Sequence, residues 1–181
     1  MKKLVVMIIA VLLSGCADDS SVHSDKKILS CEASKACSTA LEYATYQNQG
    51  ATDKAFEMEI DNGNGRSYSK IEDAKKNIAS DYEVIKDKKI ENYIVLEYEV
   101  ITDKKFVYRI EFKDIRTQEN KILDLKVEKQ GSKYMVERYY RFVPNSAITR
   151  GDKIVPYTKY YAKGMSQQMK EELEPKPIEK E

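Results

Sequence analysis

The sequence predicts an α+β domain in which helices pack on a twisted antiparallel β-meander of about five strands. Three observations carry this. Between Tyr82 and Val143 apolar residues recur at every second position with charged residues between them, turn signals divide that region, and apolar residues at helical spacing flank it. The 181 residues, 41% hydrophobic and 34% charged, suit one small domain and suffice to close a core.

Lys2 and Lys3 precede an apolar run from Leu4 to Leu13, which ends in Ser14-Gly15-Cys16. Ten apolar residues in a helix rise about 15 Å, half of a bilayer core, so the run is the hydrophobic part of an export signal and not a membrane span. Leu13-Ser14-Gly15-Cys16 resembles the lipobox of bacterial lipoprotein precursors. That resemblance implies a diacylglycerol on the Cys16 thiol, removal of residues 1–15 and an acylated new amino terminus. An ordinary signal peptide with an incidental cysteine is the alternative. Two or three acyl chains, at about 0.8 kcal/mol for each buried CH₂, hold a protein at a bilayer. Ala17 stands where enterobacterial inner-membrane lipoproteins carry aspartate, which in a source with two membranes implies the outer one, facing the periplasm. Residues 16–29 read as the lipidated cysteine and a flexible tether.

Removing residues 1–15 takes away two lysines and leaves 29 basic against 30 acidic side chains. That balance argues against nucleic acid as a partner, which would favour a strongly basic patch. The bilayer, through Cys16, and another envelope protein are the partners expected. His23 is the lone histidine and falls in the tether, and the remaining cysteines form no CxxC pair, so neither a structural zinc site nor any other metal or cofactor is expected.

The folded domain is expected over residues 30–173. Cys31 and Cys37, an even pair in an exported chain, suggest a disulfide. Six residues of α-helix rise about 9 Å, too far for a bridge, so Cys31 would have to lie in a turn folded back on the helix that contains Cys37. Two buried free thiols or an intermolecular pair are the alternatives. Ala36, Cys37, Ala40, Leu41 and Ala44 mark one face of a helix over 34–46, stopped by Gly50. Phe56, Met58 and Ile60 alternate with Glu57, Glu59 and Asp61 as a short strand ending in the turn Asn62-Gly63-Asn64-Gly65. Ser69 and Glu72 form a capping box for a second helix with Ile71, Ala74, Ile78 and Tyr82 inward.

In the meander, Tyr82 and Val84 open a strand. Ile94, Leu96, Tyr98 and Val100 line the dry face of the next, Phe106, Tyr108, Ile110 and Phe112 that of a third, and Leu123, Leu125 and Val127 that of a fourth. Tyr134, Val136, Tyr140 and Phe142 do so for a fifth, a row that Arg138 interrupts. Glu97, Glu99, Lys105, Arg109, Glu111 and Lys113 fall on the wet face. Residues 145–156 read as a loop, and Tyr161, Met165, Met169 and Leu173 as a third helix weakened by Gly164. Residues 174–181 read as a disordered tail.

No residues assemble a catalytic pattern. A Ser-His-Asp or Cys-His set would need a histidine inside the domain, and Glu97 with Glu99 on a wet face would not be desolvated enough for acid–base work. Thirteen tyrosines are many for a plain core. Arg138, Tyr139, Arg141, Tyr157 and Tyr160 bracket the loop after the last strand and form a candidate partner surface, unless these tyrosines merely seal the sheet edge. Helix followed by meander resembles the cystatin-like and NTF2-like architectures over roughly residues 34–143, on element order alone. By that resemblance Phe106, Tyr108, Tyr140 and Phe142 would line a concave apolar ligand cavity. The leading expectation is a membrane-anchored, non-enzymatic protein interaction module of the cell envelope; the alternative is an extracytoplasmic carrier or sensor of a small apolar ligand.

Overall fold

The computed structural model describes residues 30–61, 66–138, 148–150, 153–174 and 178–179. The expectations for the signal segment, Cys16, Tyr139, Tyr140, Arg141 and Phe142 lie outside these residues. A 3₁₀ turn at Cys31–Ala33 leads into α1 (Lys35–Gln49), followed by three short helices, α2 (Thr52–Glu57), α3 (Ile71–Lys76) and α4 (Tyr82–Ile85). The meander is β1 (Tyr93–Thr102), β2 (Lys105–Lys113), β3 (Asn120–Gln130) and β4 (Lys133–Arg138). Then come β5 (Ile148–Arg150), β6 (Lys153–Val155), β7 (Thr158–Tyr161), α5 (Gln167–Glu172) and β8 (Ile178–Glu179). The main sheet is antiparallel, in the order β4-β3-β2-β1-β7, and a small second sheet runs β5-β6-β8.

Ser34 caps α1, its hydroxyl accepting from the Cys37 N–H at 3.3 Å. The 3₁₀ turn folds Cys31 back, and the pair reaches disulfide distance with Cα atoms 5.2 Å apart. Ala36, Ala40 and Ala44 bury a smooth face, which lets α1 lie close across β2, β3 and β4. Tyr43, which the sequence places beside the stripe, is fully buried within it. At the far end Gly50 takes φ 70°, and a Cβ there would sit 2.4 Å from that of Ala79, so both conformation and space demand glycine.

Strand pairing sets the faces. Val95 pairs with Ile110 and Tyr160, Tyr108 with Leu125, and Val127 with Val136, which collects the inward row beneath α1. Ile94 and Leu96 point the other way, opposite Glu111 and Arg109, yet both are fully buried. Segment α5 accounts for this: Glu172 pairs with Lys113 and Glu174 with Lys159, both lysines lying on that far face. The far face is therefore dry at Ile94 and Leu96 of β1, while Ile122 of β3 is exposed on it.

Several expectations change. Residues 56–60 are not a strand: Ala55 and Phe56 are buried neighbours on α2, and only Glu59 bridges Val136. Three alternating apolar residues fit either period, and contact with β4 decided between them. The helix expected from Ser69 starts one residue later with Lys70 as its cap, and Ser69 Oγ reaches only Asp73 Oδ2, at 3.4 Å. It stops at Lys76, where the Asn77 side chain donates back to the Asp73 carbonyl. Tyr82 and Val84 belong to α4 and not to a strand, with Val84 80% exposed. The fifth strand of the sheet is instead β7, which joins the opposite edge. The loop expected at 145–156 contains the β5–β6 pairing, and Ile178, in the stretch expected to be a tail, pairs with Ile154. Tyr161 is in β7 and not in a third helix; Gly164 takes φ 79° in the turn that separates β7 from α5.

Candidate functional site

The expected surface divides between the two edges of the sheet. Arg138 ends β4 while Tyr157 and Tyr160 lie at β7, four strand spacings or roughly 19 Å apart. Tyr160 is buried rather than offered to a partner, and Tyr157 is 46% exposed. Tyr157 donates its N–H to the Glu97 carbonyl at 2.8 Å, where β7 leaves β1. Beyond that point β1 continues without β7, and Val100 and Ile101 are exposed, 43% and 48%.

Of the expected cavity residues, Tyr108 is fully buried and stacks on half-buried Phe106, with ring centroids 6.0 Å apart. Phe106 in turn meets Tyr134 at 6.2 Å. An open groove of about 870 Å³ lies at the other end of the strands, lined by Glu32, Lys88, Lys89, Tyr93, Lys113 and Lys163 among others. Its charges are mixed, and neither Phe106 nor Tyr108 lines it.

Two buried carboxylates, both expected on wet strand faces, form the polar centres of the fold. The first, Glu97, follows the inward Val95 by two residues and shares its face, and a bulge in β1 comes directly after it. Glu97 pairs with Tyr108 but Glu99 with Val107, so the extra residue Tyr98 turns these two glutamates to opposite faces, and each is 7% exposed. Glu97 enters the α1 side. The Thr158 hydroxyl and the Tyr160 hydroxyl each approach its carboxylate at 3.4 Å. The Tyr108 hydroxyl lies close to Glu97 and Ser34 yet is in hydrogen-bond geometry with neither, a buried donor without a partner among the described residues. Burial, reinforced by the charge of Glu97, raises the Tyr108 hydroxyl far above the ordinary tyrosine range and pushes Tyr160 up to about 12.

The second centre is Glu59, fully buried between α1 and β4. Its carboxylate accepts from Tyr43 Oη at 2.6 Å, from the Ser67 N–H at 2.6 Å and from Ser67 Oγ at 2.5 Å. Gln47 donates to the Tyr43 hydroxyl at 3.1 Å. Burial first, then the bond to Glu59, raises Tyr43, while the nearby Arg138 guanidinium pulls the other way. Arg138 thus faces this centre from the last residue of β4. The clasp holds the segment around Ser67 to the helix and the sheet edge.

A third polar knot sits where α1 ends. Arg116 makes a two-pronged pair with Asp81, at 2.7 and 2.8 Å, and also donates to the carbonyls of Asn48 and Gln49. Asp114 accepts from the N–H groups of Arg116 and Thr117 and from Asn48 Nδ2. Sequence reasoning passed over Tyr43, Glu59, Ser67, Asp114 and Arg116. Only Asp114, three residues before Thr117 in a hairpin connection, carried a local signal, that of a side chain capping its own turn.

Among the described residues no group of three or more His, Cys, Asp and Glu side chains could hold a metal ion, and no helix is long and apolar enough to cross a membrane. No known protein family, curated protein or solved structure matches this chain, so the cystatin-like or NTF2-like resemblance rests on the order of its elements.

Proposed function

We propose that the chain is a cell-envelope lipoprotein, anchored outside the cytoplasm through acylated Cys16, whose α+β domain is a non-enzymatic protein interaction module. The lipobox Leu13-Ser14-Gly15-Cys16 at the end of the apolar run carries this reading. In support, residues 17–29 are mostly polar in sequence, a composition that suits a spacer between anchor and fold. The buried carboxylates Glu59 and Glu97 support it too, because each serves as acceptor for groups from other elements of the fold. Exposure of Tyr157, Val100 and Ile101 at the open end of β1, one aromatic and two aliphatic side chains, supports a contact surface there. A carrier of small apolar ligands is favoured less, since Tyr108, expected to line its cavity, is packed in the core.

Feeding cells an alkyne-tagged palmitate tests the anchor. Label should enter the full chain and vanish in Cys16→Ser, with that variant released from membranes; equal labelling of both would overturn the reading. In situ photo-crosslinking from position 157 tests the surface. One discrete adduct, lost on Val100→Asp, is expected, and an unchanged adduct pattern in that variant would remove this surface.

A further inference from the structure

The far face of the sheet carries a cover whose attachments differ in kind from those of α1. Along the six residues of α5 no side chain is buried. The segment is held by Leu173, 2% exposed, by Met165, 8% exposed, by the ion pairs Lys113–Glu172 and Lys159–Glu174, and by Lys170 Nζ at 5.2 Å from the Tyr161 ring centre. Lys113 belongs to β2 and Lys159 to β7, the two neighbours of β1. Leu173, between Glu172 and Glu174, belongs to the same buried cluster as Ile94, Leu96 and Tyr98 of β1, and its two neighbours pair with lysines on the strands either side of β1. Ile94, Leu96 and Tyr98 are all no more than 1% exposed. The glutamates of both pairs are 43–49% exposed, so salt weakens them, whereas the apolar contact of Leu173 does not respond in that way. Gly164, at φ 79° with nothing within 4 Å of where a Cβ would be, gives the segment a free pivot at its start.

We propose that Ser166–Glu174 is a displaceable strap whose closure over Ile94, Leu96 and Tyr98 is set by ionic strength. Opening uncovers an apolar stripe of β1 flanked by Lys113 and Lys159, while α1 and the rest of the sheet stay folded. Leu173 supplies the larger part of the hold, the two ion pairs make it respond to salt, and the strap opens as a unit.

Native-state hydrogen exchange on the full chain tests this. The reporters are the N–H groups of Lys170 and Leu173, bonded to the Ser166 and Met169 carbonyls, set against those of Ile110 and Leu125 in β2 and β3. In about 20 mM salt the reporters should be protected, yet exchange on the order of 100-fold faster than the core amides. Raising salt to about 500 mM should speed the reporters roughly fivefold and leave the core unchanged. The pair E172Q and E174Q should reproduce that acceleration in low salt and abolish the response to salt. Leu173→Ala should speed the reporters by at least about 30-fold. Reporters that exchange at core rates, that ignore salt, or that are unprotected in low salt would each overturn the proposal. The salt arm needs no variant, so it stands even if a substitution fails to fold.

Discussion

Glu59 and Glu97 are both buried glutamates on the α1 side of the sheet, and they are served very differently. Glu59 receives three donors at 2.5 to 2.6 Å, while Glu97 has two hydroxyls at 3.4 Å and a third, that of Tyr108, close by without a bond. The difference lies in what supplies the donors. At Glu59 a backbone N–H and a hydroxyl come from the same residue, Ser67, whose chain can settle onto the carboxylate. At Glu97 the donors stand on rigid strands spaced by the ladder, and their separation is fixed by β1, β2 and β7 rather than by the bond. Burial alone therefore does not measure how much a polar group holds together.

Substitutions can break this contrast. Glu59→Ala should cost the most, about 3 to 5 kcal/mol in urea denaturation, because it strands the Tyr43 hydroxyl and the Ser67 N–H inside the protein. Equal losses for Glu59→Ala and Glu97→Ala would erase the distinction. Tyr43→Phe should cost about 1.5 to 3 kcal/mol by the same measurement, since it removes a donor from a buried carboxylate. Tyr108→Phe deletes a hydroxyl that has no hydrogen-bond partner among the described residues, so stability should change by less than about 0.5 kcal/mol or rise. A loss comparable to that of Tyr43→Phe would show that the Tyr108 hydroxyl is bonded.

Alkaline titration sharpens the comparison further. Burial pushes Tyr98 and Tyr160 up to about 12, and Tyr43 and Tyr108 are raised as well. In the unfolded chain these phenols ionise near about 10, so the folded state keeps protons that the unfolded state has lost. Stability should fall as pH rises from about 10 toward 12, followed by circular dichroism in parallel with phenolate absorbance. Tyr160→Phe should flatten that slope by a small but measurable amount. A slope unchanged in that variant would mean that Tyr160 ionises as it does in the unfolded chain.

Much of the architecture was legible from local pattern. The alternation of Phe106, Tyr108, Ile110 and Phe112, and that of Leu123, Leu125 and Val127, located β2 and β3 and their inward face. Ala36, Ala40 and Ala44 located α1, and the spacing of Cys31 and Cys37 called for the fold-back that the 3₁₀ turn supplies. What escaped depends on the partner of a strand and not on its own residues. In β1 both faces are buried, Ile94 and Leu96 on one and Val95 on the other, so alternation chose the wrong row as inward and Glu97, in line with Val95, became a core residue; the extra residue at Tyr98 then reverses the alternation. Glu59 gave no warning because its burial is made by Ser67 and Tyr43, which lie 8 and 16 residues away. The candidate surface failed to converge for the same reason: adjacency in sequence around residues 138–160 hid the fact that β7 crosses to the other edge of the sheet.

The Cys31–Cys37 pair stands at disulfide distance, and a bridge there would govern how the domain bears load. Any pull along the chain from before Ser30 enters through Cys31 and is handed across the sulfur bridge to Cys37, in the first turn of α1. Residues 32–36 are bypassed, so the cap at Ser34 carries none of the tension. The helix is pulled at Cys37, beside buried Ala36 and Ala40, so peeling α1 from its N-terminal end has to begin there, against that packing, with residues 31–37 moving as one closed loop.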